Sequence, residues 1–572
     1  MRDRLIRTIV LLGVALVAIT EVLSAVGAIR RGWLIVCWAV VAALIVVWWR
    51  RQRRSVNLSR DFVVWICLAG AATVLILTAI AASFSAPNSA DAMAYHLPRV
   101  VYWAEQSSVR FFPTPYVPQI MLQPLAEYGS LHLFVITGGD SLTNFIQWFA
   151  SLGCVITVSA IAKEFGASVR GQAMAGLFCA TIPSGILASS GAKNDYALAM
   201  WLCAMVYFAL TRQLVWMGAA LGLALLTKAT AYLFAPWLLI AILAFRFRRE
   251  LIRGAAVAAV VALSINATHF ARNIALSGSP LGFPSAQGDD GYRWRNDFLG
   301  WKPTASNLLR NTSDQLGARS ESWNQAVFRV VLRAHERLGI DVNDRATTWP
   351  DSVFAAPKNA NHEADAPNRW HLLLTILATG VLIWTRKWPA VFFVAALACG
   401  FLSFCAYLKW QPFQARLLLP LFVLASPVIG LAAEKLRFSI VQIALCLFLL
   451  MNARLPALQN WTRPLQGPRS VFHTARDEQY FNDLGQFGNR ANYDRAVELI
   501  ATSSCRIVGI DINTNQLEYP LQALLRRRIP DVKFLHSNVR NISYRYSPPV
   551  RETPCAVVCI DCGDDRLVTF SH

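Results

Sequence analysis

The chain has 572 residues, 55% of them hydrophobic and only 15% charged, with a mean hydropathy of +0.40 and a formal net charge of +20. A soluble domain carries about 25% charged residues, so this composition excludes a disordered or fibrous chain and argues against an ordinary water-soluble enzyme. Length alone would give about three or four soluble domains; the apolar surplus points instead to one large membrane domain and something smaller.

A spanning helix needs about 20 mostly apolar residues. Runs that qualify or nearly do so are 8–29, 33–49, 62–83, 144–162, 171–188, 194–211, 230–245, 254–271, 370–385, 388–408, 413–432 and 438–452. A shorter run at 214–226 precedes Thr227-Lys228 and pairs with 230–245, which brings the total to about 13 spans. The first run is too long for the h-region of a cleaved signal peptide, about 7–15 residues, so it is taken as a retained helix.

Orientation follows from the excess of Lys and Arg on the cytoplasmic side. Arg2, Arg4 and Arg7 put the N-terminus inside. Counting crossings then puts inside Arg50-Arg51-Gln52-Arg53-Arg54, Lys163/Arg170, Arg212, Arg246/Arg248/Arg249/Arg253, Arg386/Lys387 and Lys435/Arg437. Only Arg30-Arg31 breaks the pattern. These hooks hold 18 basic residues against four acids, so +14 of the +20 is a topology signal that needs no nucleic-acid partner.

The count leaves three long segments outside: 84–143, 272–369 and 453–572. The domains expected are N-terminal helices over 1–60, a membrane domain over 61–452 and an extracytoplasmic domain over 453–572. That last segment reads as a small α/β domain. Strands are expected at 505–510, 532–535 and 555–560, and a helix at 517–528. Cys505, Cys555, Cys559 and Cys562 leave three readings open: buried strand cysteines, a disulfide on an oxidising side of the membrane, or a metal site suggested by the Cys-x3-Cys-x2-Cys spacing.

Charges at membrane depth are expensive and often functional. In chain order, the first external segment opens with Ala90-Asp91-Ala92-Met93-Ala94-Tyr95-His96-Leu97-Pro98-Arg99, where a helical turn would gather Asp91, His96 and Arg99 on roughly one side. Glu127 follows. The segment is rich in aromatic residues and proline, which suits a stretch lying on the interface with its rings at headgroup level. Asp195 sits at the outer start of a helix, where a carboxylate also serves as a plain cap. Lys228 and Arg272-Asn273 bring two cations to the outer interface, either snorkelling or recognising phosphate. His362-Glu363-Ala364-Asp365 has a single His, so a polar loop that closes the cleft or holds an acceptor is favoured over a metal site. Arg416 ends the series at the outer end of a helix.

In the order and common side of these motifs the sequence resembles the GT-C superfamily of integral-membrane glycosyltransferases, in the bacterial branch of protein mannosyltransferases and lipid A aminoarabinose transferases. Asp91 matches the catalytic acid of the family's first external loop. Leu226-Thr227-Lys228, Arg272-Asn273 with Gly278-Ser279-Pro280, and Arg416-Leu417-Leu418-Leu419-Pro420 are similar to further family motifs. The resemblance covers roughly 60–450 and implies an all-α polytopic membrane bundle of GT-C type, with the C-terminal α/β domain placed as in many relatives.

Many relatives carry two adjacent acids in the first loop, whereas Asp91 is flanked by Ala90 and Ala92. No metal is therefore assigned, and a divalent cation is left open. The activity implied is sugar transfer from a polyprenyl-phosphate donor to a lipid, glycan or protein acceptor on the outer face of the bacterial inner membrane. Asp91 would be the general base. Lys228 and Arg272 would receive the departing phosphate. Asp195, His96, Arg99, Glu127, Asn273, Glu363 and Arg416 would orient the substrates. The rival reading is a transporter or lipid flippase, against which stand the absence of an inverted repeat and the clustering of polar sites at one face.

Overall fold

The computed structural model describes residues 1–50, 59–246, 251–285, 293–483, 486–512, 516–549, 552–560 and 568–570. Arg51, Arg53 and Arg54 of the second basic hook, Arg248 and Arg249 of a later one, and Cys562 lie outside the described residues. Every apolar run expected from the sequence is helical. In chain order these helices are α1 (Arg2–Ala25), α2 (Arg31–Arg50) and α3 (Phe62–Phe84). After the first external segment, with α4 (Leu97–Glu105) and α5 (Leu125–Thr137), come α6 (Phe145–Glu164), α7 (Val169–Ala180), α8 (Asp195–Leu210), α9 (Leu214–Thr227), α10 (Ala231–Arg246) and α11 (Leu251–Ser277). The second external segment contributes α12 (Trp301–Asp314) and α13 (Glu321–Leu338). Then follow α14 (Arg369–Trp384), α15 (Trp388–Tyr407), α16 (Leu419–Ala433) and α17 (Ser439–Leu458).

Among the described residues eight helices are long and apolar enough to cross a membrane, and four shorter apolar helices, α8, α9, α10 and α14, accompany them. The chain is a multi-pass helical membrane protein. The run at 171–188 is broken after Ala180, where Pro183 restarts a short helix, Pro183–Ala188, because proline is tolerated at a first helical turn and not inside one. All sixteen residues of α8 are buried. A helix that is apolar all round belongs at the centre of a bundle, and α8 packs there against α6, α9, α10 and α16.

Polar side chains collect at the two ends of the bundle. At one end Arg2 donates to Ser159 and Gln172, Asp3 accepts from Tyr207 and Gln213, Arg170 pairs with Asp61, and Glu434 accepts from Ser168. The opposite end carries Glu21, Asp91, Asp195, Lys228, Arg272 and Arg416.

Close helix contact depends on small residues. A Cβ placed on Gly430 of α16 would meet the backbone of α7, with the Ala175 nitrogen at 2.7 Å and the Gly171 carbonyl closer still. Gly430→Val is expected to lower the unfolding free energy in detergent by about 1–3 kcal/mol, the usual cost of overpacking; an unchanged thermal midpoint would contradict this packing.

The C-terminal segment contains α18 (Arg490–Thr502), β1 (Ile507–Ile512), α19 (Glu518–Arg528), β2 (Lys533–His536), β3 (Ala556–Ile560) and β4 (Val568–Phe570). The sheet order is β2-β1-β3-β4, parallel except for β4. Three strands and α19 fall where the sequence placed them; α18 and β4 are additional. Cys505 and Cys555 form a disulfide across 50 residues with Cα atoms 5.7 Å apart. Of the three cysteine readings the structure therefore takes the disulfide for this pair. Reduction, or Cys505→Ser with Cys555→Ser, is expected to remove about 2–4 kcal/mol and to expose β1 and β3 to limited proteolysis while the helical bundle stays intact.

The first external segment departs from expectation. Its rings do not lie at headgroup level. Tyr102, Trp103, Phe111, Phe112 and Tyr116 are buried in a second core shared with Val508, Ile510, Leu521, Leu525 and Phe534 of the C-terminal segment. An aromatic-rich stretch suits a membrane interface and a protein core equally; here the α/β layer covers it.

Candidate active site

Asp91 lies seven residues beyond the end of α3, at the entry to a π-helix, Ala92–His96, that continues into α4. Single π-turns inside helices occur frequently at functional sites. The segment puts Tyr95 in hydrogen-bond reach of Asp91, keeps His96 close enough to act on it and turns Arg99 to the Pro118, Gln119 and Leu122 carbonyls. The segment is held from outside the bundle. Ala86 N–H donates to Gln479 Oε1 at 2.8 Å, Asn88 donates to the Thr462 and Gln479 carbonyls, and Ala90 N–H donates to Asp483 Oδ2 at 2.6 Å.

Four predicted residues converge. Arg416, just before α16, pairs with Asp91 at 2.7 Å. Lys228, between α9 and α10, pairs with Asp195 at 2.5 Å and bonds Asn194 Oδ1 at 2.9 Å. The two pairs share one field, since Arg416 acts on both carboxylates and Lys228 feels both. Burial works to raise the Asp91 pKa, but Arg416, Lys193 and His96 hold the carboxyl below the ordinary range. Burial pushes Lys228 down, against Asp195. Tyr95 donates to Asp91 Oδ2 at 3.3 Å, and burial with that carboxylate raises its phenol. Three polar atoms in this cluster are buried without a hydrogen-bond partner: Asp195 Oδ2, Arg416 Nε and His96 Nε2. Burying such atoms unpaired costs about 1–3 kcal/mol each, so the cluster is built to receive something.

The remaining predicted residues stand elsewhere, each with protein partners of its own. Arg99, expected to bind substrate, is wholly buried and donates to the carbonyls of Pro118, Gln119 and Leu122 and to Glu127 at 3.0 Å. Glu127, also expected to orient substrate, accepts from Arg99 and bonds His96 Nδ1 at 2.8 Å. His96 also acts on Asp91, and its Nε2 is buried without a hydrogen-bond partner. Arg272 does not join Lys228. It makes a two-pronged pair with Glu21 of α1 at 2.8 and 2.7 Å and donates to Tyr128 at 2.7 Å. Asn273 donates to the Met121 and Pro280 carbonyls and ties α11 to the first segment. Glu363 was expected to orient substrate or close the cleft. It is fully buried between Lys193 Nζ at 2.6 Å and the Arg463 guanidinium, and despite burial the Arg463 and Lys193 cations keep its carboxyl low. His362 pairs with Asp483 at 2.7 Å.

Sequence reasoning missed Glu21, Lys193, Arg463 and Asp483. Glu21 was legible as a lone acid inside an apolar run. Lys193 lies two residues before Asp195. Arg463 and Asp483 carry no local signal. Among the described residues no three His, Cys, Asp or Glu side chains come together as metal ligands. Both carboxylates of the cluster are already matched by cations, a donor set that suits an anion rather than a metal ion.

No family model matches the chain, and no curated protein matches it. Among solved structures it is similar to ArnT from Cupriavidus metallidurans bound to undecaprenyl phosphate, with 14% identity over 85% of this chain and 88% of that one and a TM-score of 0.47. The apo state of the same protein gives 13% identity, 84% and 86% coverage, and 0.47. The apo oligosaccharyltransferase of Archaeoglobus fulgidus gives 11% identity and 0.47, over 82% of this chain and 64% of that one.

Proposed function

We propose that the protein is a membrane glycosyltransferase of GT-C type that moves a sugar from a polyprenyl-phosphate donor to a hydroxyl acceptor on the outer face of the membrane. The observation that carries this reading is the cluster of Asp91, Arg416, Asp195 and Lys228 with its three unpartnered atoms at one end of an apolar bundle. A carboxylate suited to take a proton and two cations suited to a phosphate sit together at one end of the apolar helices. The motif resemblance of Asp91, Lys228 and Arg416 to the superfamily supports the same reading. The basic Arg2 and Arg170 at the opposite end, the lysine and arginine bias of the sequence, and the Cys505–Cys555 disulfide support an outward-facing site.

At rest each carboxylate is neutralised by a cation. A donor phosphate would draw Arg416 and Lys228 to itself, and Asp91, relieved of Arg416, becomes a stronger base. The acceptor hydroxyl oxygen then bonds to the anomeric carbon while its proton passes to Asp91. The bond from that carbon to the phosphate oxygen breaks, its electron pair leaves with the lipid phosphate, and Arg416 and Lys228 stabilise the charge. A single displacement inverts the carbon. His96, held through Nδ1 by Glu127, presents Nε2 to the same space and orients the substrate.

The test is covalent. Purified protein in vesicles is given polyprenyl-phosphate donors carrying radiolabelled sugars, with envelope lipids, glycans and proteins as acceptors. Label appearing in an acceptor supports the proposal. Lipid crossing the bilayer without any transfer would favour a flippase.

A further inference from the structure

In the second external segment α12 lies across the end of α15 that faces the site. Asn307 donates to the Cys405 carbonyl at 2.9 Å and to the Leu408 carbonyl at 2.8 Å, and the neighbouring Asn296 donates to the Ala406 carbonyl at 2.8 Å. Helix α13 packs on α12 through Ser306 and His335 Nε2 at 2.9 Å. At about 100° per residue, Ser306 and Asn307 point to different sides of α12, so α13 and the end of α15 pack on different sides of it.

The buried side of α13, with Asn324, Val331 and His335, faces the protein. Next to it Trp323, Val327, Val330, Ala334 and Leu338 form one stripe at helical spacing. Three of them stand open: Trp323 is 47% exposed, Val330 62% and Leu338 38%. Beside the stripe Arg329, Arg333 and Arg337 form an exposed row at i, i+4, i+8, and none makes an ion pair among the described residues. The acids Glu321 and Glu336 stand on the far side of the helix from the stripe. Phe298, Leu299 and Trp301 are exposed just beyond Asn296, whose N–H donates to the carbonyl of Tyr407, itself open at the end of α15. The apolar surface thus continues from the spanning helix toward α13.

We propose that α13 is a membrane-surface helix that seats its apolar stripe among the lipid headgroups and binds anionic lipid phosphates with its arginine row. Charge and continuity both favour this occupant. An apolar face flanked by arginines is the composition of interfacial helices, each cation near an anionic surface contributes about 1 kcal/mol, and the adjoining surface is already that of a spanning helix. The inference does not depend on the sugar-transfer proposal.

The full chain is reconstituted in phosphatidylcholine–phosphatidylglycerol vesicles. A small thiol-reactive fluorophore is placed by Val330→Cys or by Glu336→Cys, with the unsubstituted protein labelled in parallel to subtract native thiols. Lipids brominated at the top of the acyl chain should quench the label at 330 about twofold or more beyond that at 336. Arg329→Gln, Arg333→Gln and Arg337→Gln together, or removal of phosphatidylglycerol, should shrink that difference. Equal quenching at both positions overturns the proposal, as does a label at 330 shielded from bromine and from aqueous iodide alike, which would mean that a second copy covers the stripe. A difference unaffected by both arginine removal and neutral lipid overturns the binding of anionic lipid.

Discussion

Asp91→Asn is expected to cut the rate of sugar transfer by about 10²–10⁴-fold, the range a positioned general base contributes. The substitution preserves shape and both Tyr95 and Arg416 as neighbours, but it removes the proton acceptor. The loss should fall on kcat, with the donor KM little changed, because the base acts in the transition state and not in donor binding. Lys228→Met separates the roles, since it removes a cation aimed at the phosphate and should raise the donor KM as well. Folding should survive Asp91→Asn. The Asp91 side chain is about one-fifth exposed, and Arg416 keeps Asp195 in its field. Steady-state kinetics in vesicles, with the thermal midpoint measured alongside, distinguish a lost base from a lost fold. Wild-type kcat in a folded Asp91→Asn protein would remove Asp91 from the chemistry.

The bundle was legible because lipid imposes composition directly. The thirteen apolar runs became helices, and of the basic hooks Arg2 and Arg170 lie together at one end of the bundle. Asp91, Asp195, Lys228 and Arg416 were legible for the same reason, as charges set at the ends of apolar helices. That signal marks position and not partner. Arg272 looked like Lys228 in sequence, but Glu21, 251 residues away, takes both of its prongs. Arg99 and Glu127 were read as substrate ligands because their pairing with each other, with His96 and with the 118–122 carbonyls cannot be seen locally. Without the cover of the C-terminal segment, an aromatic loop with charges resembles a wet interface. The π-helix has no composition of its own. Just before it, residues 462–483 grip the segment from Ala86 to Ala90, a contact no local pattern announces. The strands of the α/β layer were readable from short β-branched runs, whereas α18 and the three-residue β4 were too weakly patterned to find.

Glu363→Gln is expected to cost about 3–5 kcal/mol, the price of breaking a fully buried ion pair by removing one partner. Glu363 sits between two buried cations. Lys193 approaches one carboxylate oxygen and Arg463 the other, while Arg463 also bonds Ser190, Asn88 and the Leu187 carbonyl. The amide can serve only one cation as an acceptor and leaves the buried positive charges without their counter-ion. Because Arg463 ties the chain beyond α17 to the segment before Asp91, the loss should release that grip. Proteolysis near residues 460–483 should then appear before the bundle unfolds. Lys193 also acts on Asp91 and Asp195, so the uncompensated cation pulls harder on both carboxylates and weakens Asp91 as a base. Stability and kcat should therefore fall together. Adding Lys193→Met to Glu363→Gln removes one of the stranded charges and should return part of the stability without restoring wild-type rate, since the Asp91 field is altered. Unfolding midpoints of the wild type, both single variants and the double variant measure the coupling. A Glu363→Gln protein as stable as wild type, or a double variant with purely additive losses, would mean that the three charges do not act as a unit.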